Sequence, residues 1–215
     1  MKDIAIYGAG GFGKEVACLI KRINGVEPQW NFIGFFDDNP DKKGQMISHF
    51  GPCLGGVEEL NAWPTDLAIA IAMGNSLMVK KVFNNISNKN VSFPNLIDKS
   101  FYLVDPETFK IGMGNIIQGL GSASCDVTIG DFNVLNGNVV LGHDVIIGSF
   151  NTLMPAVRIS GEVKMGECNF FGVASIVLQQ IKIGNNIRLG AGSVLMTKPK
   201  DGILYMGNPA RKTEF

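Results

Sequence analysis

From Ile111 to Leu195 every sixth residue of the chain is apolar, fifteen in succession. At 46% apolar composition, such a run would arise by chance only about once in 10⁵ registers. The position after the apolar residue is often glycine (Gly112, Gly130, Gly142, Gly148, Gly166, Gly172, Gly184 and Gly190), with Asn136 as a substitute. These residue types tolerate left-handed backbone angles, so they are expected at a recurring tight turn. Two places before the apolar residue stand Val127, Asn133, Val139, Val145, Asn151, Val157 and Val163, which can stack inside a narrow prism. Each hexad therefore predicts one short strand and one corner. Three hexads close a triangular coil, and the run makes five coils of 18 residues. At the spacing of neighbouring strands the prism is about 24 Å long.

The first 95 or so residues follow a different pattern. Ile4 to Tyr7 reads as a short apolar strand entering glycines, and Val16, Leu19, Ile20 and Ile23 recur at helical spacing. Phe32 to Phe36 is a second strand ending in Asp37-Asp38, and Leu67 to Met73 a third, stopped by Gly74-Asn75. Val79, Val82, Phe83 and Ile86 mark another helix, and Val91 to Ile97 is extended. Alternating strands and helices predict a small parallel sheet with helices packed on it. The expected fold is a Rossmann-like α/β domain over residues 1–98, followed over 99–215 by a left-handed parallel β-helix with a C-terminal tail.

Charge narrows the function classes. Nineteen Lys and Arg balance nineteen Asp and Glu, with no long basic block, so nucleic acid is not an expected partner. The N-terminus lacks the order of a signal peptide, and the most apolar stretch is far too short to span a bilayer. A cytoplasmic enzyme is expected. The four cysteines form no CxxC pair and read as small buried hydrophobes. With two histidines in the chain, a metal centre is not expected.

One of those histidines, His143, is the only one in the repeat region, just past a corner where side chains point outward. Acyl transfer to an amine or hydroxyl needs a proton acceptor that works near neutrality, which suits imidazole. Asp144 follows directly and can fix the ring tautomer. The coil period places Cys125 below His143 and Gly161 above it. Glycine leaves room for a ligand, and its N–H can donate to an oxyanion. In the first domain, Gly8-Ala9-Gly10-Gly11-Phe12-Gly13 fits GxGxxG between strand and helix, and Asp37 follows 24 residues later. That spacing suits a dinucleotide, but the domain is only about half of a full dinucleotide fold. A glycine turn without a ligand fits the same residues.

The registered hexads, with the trailing Gly207-Asn208-Pro209-Ala210-Arg211, resemble the hexapeptide-repeat acyltransferases. The stretch from Gly142 to Phe150, together with Tyr7 to Gly13, Gly34 to Asp38 and Ile71 to Asn75, resembles one branch of them. Its members acetylate sialic acid or a nucleotide-linked amino sugar. The resemblance implies acetyl-CoA as co-substrate, a homotrimer, His143 as general base and Asp144 as its orienting partner. It also implies that Gly161, Val173 and Ala191 line a coenzyme A channel between subunits. Thr152 stands where the branch has a second histidine that binds the thioester. In the first domain it implies Gly10, Gly11 and Phe12 as phosphate-side contacts, Asp37 and Asp38 at the base or ribose, and Gly74-Asn75 closing the pocket. Phe132 and Phe150, expected to face outward, suit a trimer interface. Transfer to an amino acid or free sugar, or a catalytically silent binding scaffold, are the alternatives. A zinc hydratase on the same helix would need three histidines where the repeat supplies one.

Overall fold

The computed structural model describes residues 1–213. The chain divides into two compact units, one from Met1 to Lys99 and the other from Ser100 onward.

The first unit is built on β1 (Lys2–Tyr7), α1 (Gly11–Val26), β2 (Trp30–Phe36), β3 (Met46–Ile47), β4 (Gly51–Gly55), α2 (Val57–Asn61), β5 (Leu67–Ile71), α3 (Ser76–Asn85) and β6 (Val91–Ser92). The strand order is β3-β4-β2-β1-β5-β6, parallel except for the β3–β4 pair. Central β1 buries Ile4, Ala5, Ile6 and Tyr7 completely, as expected of a strand covered on both faces. Helix α1 buries Val16, Leu19, Ile20 and Ile23, the four residues that its periodicity singles out. The third strand ends at Ile71, and the extended stretch after α3 is two short strands, β6 and β7 (Leu96–Ile97). Strands β3 and β4 and helix α2 carry no signal in the sequence. They are too short to show a period.

Two glycines of the first turn are fixed by packing. Gly8 has φ 115°, and a Cβ there would lie 2.6 Å from the Ala72 carbonyl oxygen. A Cβ on Gly13 would run into the Gly8 carbonyl oxygen. At Gly10 and Gly11 a Cβ would have nothing within 4 Å, and both residues are exposed. Space inside the protein therefore explains the first and last glycines of the motif, and leaves the middle pair open to an approaching ligand.

The second unit begins with β8 (Tyr102–Leu103) and continues as fifteen two-residue strands, β9 to β23, spaced every six residues from Lys110–Ile111 to Val194–Leu195. Strands 18 residues apart pair in parallel, forming the three walls of a left-handed β-helix. The first wall holds Val134–Leu135, Thr152–Leu153 and Phe170–Phe171. On the second are Ser122–Ala123, Val140–Leu141 and Arg158–Ile159. The third carries Thr128–Ile129, Ile146–Ile147 and Lys164–Met165. A terminal hairpin, β24 (Leu204–Gly207) and β25 (Ala210–Thr213), joins the first wall.

The corners differ from the expectation. The left-handed residue is not the glycine after the inward apolar side chain but the residue two places further on. Twelve non-glycine residues from Leu120 to Asn186, spaced by six, have φ between 53° and 63°. Each such conformation costs about 1–2 kcal/mol. The backbone N–H groups offset it by donating to the coil below, as Asp144 N–H does to Cys125 O at 3.0 Å and Phe150 N–H to Asp131 O at 2.8 Å. The corner glycines serve contact instead. A Cβ on Gly142 would lie 2.6 Å from Gly161 N, and one on Gly148 2.6 Å from Gly166 O. Phe132 and Phe150 also differ from expectation: they are 3% and 9% exposed. Their rings stack at 5.4 Å, nearly parallel, and Phe132 covers Gly114, where a Cβ would overlap the ring. Stacking along the prism axis has buried the faces that an interface would need.

Within the prism, Asn115, Asn133, Asn151 and Asn169 form a fully buried ladder. Each Oδ1 accepts the backbone N–H of the residue one coil on; the Asn133 Oδ1 accepts Asn151 N–H at 2.9 Å and Asn151 Nδ2 at 3.0 Å. Asn151→Ala would leave the buried Asn169 N–H without its acceptor. A buried orphan donor plus the lost amide bonds costs about 3 kcal/mol. The expected result is a fall in melting temperature on the order of 10 °C, read by circular dichroism. A loss under about 2 °C would contradict this account of the ladder.

Candidate active site

His143 and Asp144 sit at the corner that leaves the second wall, with side chains 55% and 58% exposed. Asp144 adopts φ 56°, and this bend lets its carboxylate reach the ring of the residue just before it. His143 Nδ1 lies 2.8 Å from Asp144 Oδ2. A carboxylate at Nδ1 selects the tautomer with the proton there, and leaves the Nε2 lone pair to accept another.

Nε2 faces the next coil. A Cβ on Gly161 would overlap His143 Nε2, so the ring rests directly over the glycine Cα. Gly161 O accepts Gln180 N–H at 3.0 Å, while Gly161 N–H has no acceptor among the described residues. A base and a free backbone donor thus stand side by side, the pair that acyl transfer uses at the acceptor proton and at the oxyanion. Beside them runs an open groove of about 490 Å³, lined by Asp126, Asp144, Ile146, Glu162, Lys164 and Lys182, among others.

The other expected residues of this unit are not brought to that edge. Val173 and Ala191 follow the first wall, exposed and one coil apart, and Gly192 N–H donates to Val173 O at 2.8 Å. They therefore occupy a different edge of the prism from His143 and Gly161. Thr152 lies within the first wall between Val134 and Phe170 and is only 2% exposed. Its side chain is buried at a strand position in register, unlike the half-exposed corner that His143 occupies.

In the first unit, Gly10 caps α1 without a side chain, and Gly11 and Phe12 open the helix. Their N–H groups lie at its positive end. Asp37 is committed to the chain itself: Oδ2 accepts Ala9 N–H at 2.9 Å and Lys42 Nζ at 2.7 Å, and Oδ1 accepts Asn39 N–H at 3.0 Å. Burial pushes its carboxyl up, but the Lys42 ammonium and the two N–H donors outweigh that and hold it below the usual range. These bonds pin the glycine loop to the end of β2, and Asp37 also lines the cleft beside Asp38. Asp38 Oδ1 accepts Tyr7 Oη–H at 2.5 Å and Val57 N–H at 3.1 Å, leaving Oδ2 toward a cleft of about 330 Å³. Burial, and then the bond to Asp38, push the Tyr7 hydroxyl far above its usual range, so it stays a donor. Sequence reasoning misses Tyr7; a lone hydroxyl at the end of an otherwise apolar strand is its one signal. Gly74 is open, and Asn75 caps α3, its side chain accepting Leu77 N–H at 3.0 Å and Met78 N–H at 3.3 Å. Among the described residues there is no His, Cys, Asp and Glu group that could hold a metal, and no helix long and apolar enough to cross a membrane.

Residues 3–86 match the family model of the PglD N-terminal domain. No curated protein matches the chain. Among solved structures, the acetyltransferase domain of PglB from Neisseria gonorrhoeae in complex with acetyl coenzyme A is similar at 26% identity. It covers 99% of each chain, with a TM-score of 0.86. WeeI from Acinetobacter baumannii shares the fold at 24% identity, covering 99% of this chain and 100% of that one, with a TM-score of 0.87. PerB from Caulobacter crescentus, in complex with CoA and GDP-perosamine, shares it at 23% identity over 100% of this chain and 98% of that one, with a TM-score of 0.83. From end to end, then, the chain is similar to a two-part acetyltransferase domain: a first unit like the PglD N-terminal domain, and a second with the hexapeptide-repeat fold.

Proposed function

We propose that the protein transfers an acetyl group from acetyl-CoA to an amine or hydroxyl of a nucleotide-linked sugar. The observation that carries this reading is the arrangement of His143, with Nδ1 held by Asp144 and Nε2 over Gly161. Acetyl-CoA supplies the thioester carbonyl. His143 Nε2 takes the proton of the attacking amine or hydroxyl as the new bond to the carbonyl carbon forms. Asp144 stabilises the imidazolium, and Gly161 N–H receives the oxyanion. When the carbon–sulfur bond breaks, the same imidazolium returns the proton to the departing thiolate.

Val173 and Ala191 would line the coenzyme A channel with Gly161. Because they lie on another edge of the prism, a complete channel takes these edges from two copies of the chain, in keeping with a homotrimer. Gly10, Gly11 and Phe12 would hold a nucleotide phosphate at the start of α1. Asp38 would offer its second oxygen to the ribose or base, with Gly74-Asn75 bordering that pocket.

The test is thiol release from acetyl-CoA across a panel of nucleotide sugars, some with a free amine and some with hydroxyls alone. Release that depends on one of these sugars, and not on its free sugar or an amino acid, is the expected result. Coenzyme A binding without release for any sugar would sink the reading and leave a binding scaffold.

A further inference from the structure

Tyr7 is the polar member of the buried stretch of β1, and its side chain is fully covered beside Ile4, Ala5 and Ile6. A phenylalanine would fill the same space, so what tyrosine adds is the hydroxyl. That hydroxyl reaches a residue 31 positions away, donating to Asp38 Oδ1 at 2.5 Å. Asp38 itself is exposed, and water alone would satisfy its carboxylate. The bond therefore fixes a direction instead of solvating a charge. Oδ1 takes Tyr7 Oη–H from the end of β1 and Val57 N–H, at 3.1 Å, from the first residue of α2. With both donors on one oxygen, Oδ2 accepts no bond from the described residues. Its neighbour Asp37, by contrast, takes donors of the chain on both oxygens. The two carboxylates line one cleft, with Pro40, Lys43, Gly56 and Val57 among its other walls.

We propose that Tyr7 is a positioning residue for nucleoside recognition: by bonding Asp38 Oδ1 it holds Oδ2 toward the cleft as the acceptor for a donor of the nucleoside. The role rests on the reading above, in which the acceptor of the transfer is a nucleotide-linked sugar. A carboxylate oxygen only accepts, so the ligand must bring a ribose hydroxyl or an N–H on the edge of its base. Burial keeps the Tyr7 hydroxyl protonated, so it donates to Asp38 and never competes with the ligand for a proton. Holding the Asp38 side chain in place before binding removes an ordering cost that the ligand would otherwise meet. Tyr7 also leads directly into the glycine turn and the start of α1, where the diphosphate is assigned. One short stretch of chain then sets both ends of the nucleotide: its N–H groups receive the phosphates, and its tyrosine aims the carboxylate that receives the nucleoside.

Tyr7→Phe removes the hydroxyl and keeps the ring in the core. Calorimetry with the diphosphates of uridine, thymidine, guanosine and cytidine identifies the one that the wild type binds most tightly, and this one is the probe. Tyr7→Phe is expected to bind it about fivefold more weakly, the cost of ordering one side chain on binding, with affinity for inorganic pyrophosphate unchanged. In turnover, KM for the nucleotide sugar should rise by the same factor while kcat and the KM for acetyl-CoA hold. Asp38→Ala is expected to lose at least as much, and the double variant no more than Asp38→Ala alone, because Tyr7 acts through Asp38. A form of the probe without ribose hydroxyls separates the two donors. If the Tyr7→Phe loss vanishes with it, the role holds with Oδ2 assigned to the ribose; if the loss persists, the role holds with Oδ2 assigned to the base. Equal affinity of variant and wild type for the probe would overturn the positioning role and leave the nucleotide reading intact. An equal loss for pyrophosphate would also overturn it, by placing the effect in the glycine turn. A wild type that binds none of the diphosphates would overturn the nucleotide-linked acceptor itself, and this role with it.

Discussion

His143→Ala is expected to lower kcat by at least ~10²-fold, the contribution of a positioned general base. The KM for acetyl-CoA should change little, because the imidazole is assigned to the acceptor proton. Thiol release from acetyl-CoA measures both. The side chain is more than half exposed and bonds only to Asp144, so the variant should keep its stability to within about 0.5 kcal/mol. A folded variant with full turnover would remove His143 from the mechanism. Melting temperature and coenzyme A binding, measured on the same sample, separate lost chemistry from lost structure.

The second large effect is expected at a residue with no side chain. In Gly161→Ala the new Cβ would overlap His143 Nε2 and lie 2.7 Å from Cε1 and 2.9 Å from Cδ2. Those atoms belong to an exposed ring, which can swing away, so the coil should stay folded. The base would then be displaced from the backbone donor beside it. Misplacement by about an ångström can cost 10²-fold in rate. The expected outcome is a loss in kcat approaching that of His143→Ala, with the histidine still present and the melting temperature held. Full turnover in Gly161→Ala would show that the ring position over this glycine is not the one that reacts. The double variant tests the argument further: if Gly161 acts through His143, the two losses should not add.

Several of these features are legible as pattern. The hexad period marks the inward side chains of the prism, and the residues two places earlier, Val127 to Val163, are all fully buried as expected. Helical spacing marks the buried stripe of α1. His143, Asp144 and Gly161 can be placed on one edge by counting eighteens, because a strict period turns sequence distance into spatial distance. Where the period is absent, as in β3, β4 and α2, nothing marks the elements in advance.

The corner glycines show a harder limit. Glycine is compatible both with a left-handed turn and with close backbone contact, and its presence alone does not distinguish them. Neighbouring coils decide: contact at Gly142 and Gly148, with the left-handed angle falling instead on Asp144 and Phe150. The distance of Asp37 from the glycines suggests a ribose contact, and only the fold shows that its carboxylate also ties Ala9, Asn39 and Lys42 together.

By itself, then, the sequence determined the two-part architecture, the prism core and the pairing of His143 with Asp144. All of these follow from short-range periodicity and adjacency, which the linear order contains. Only the tertiary structure decided which polar atoms remain free to act. It left Nε2 of His143, N–H of Gly161 and Oδ2 of Asp38 open, buried Thr152 in the coil stack and engaged Asp37 with the glycine loop. A donor or acceptor is available only when no other part of the folded chain satisfies it, and that depends on residues brought together from distant positions.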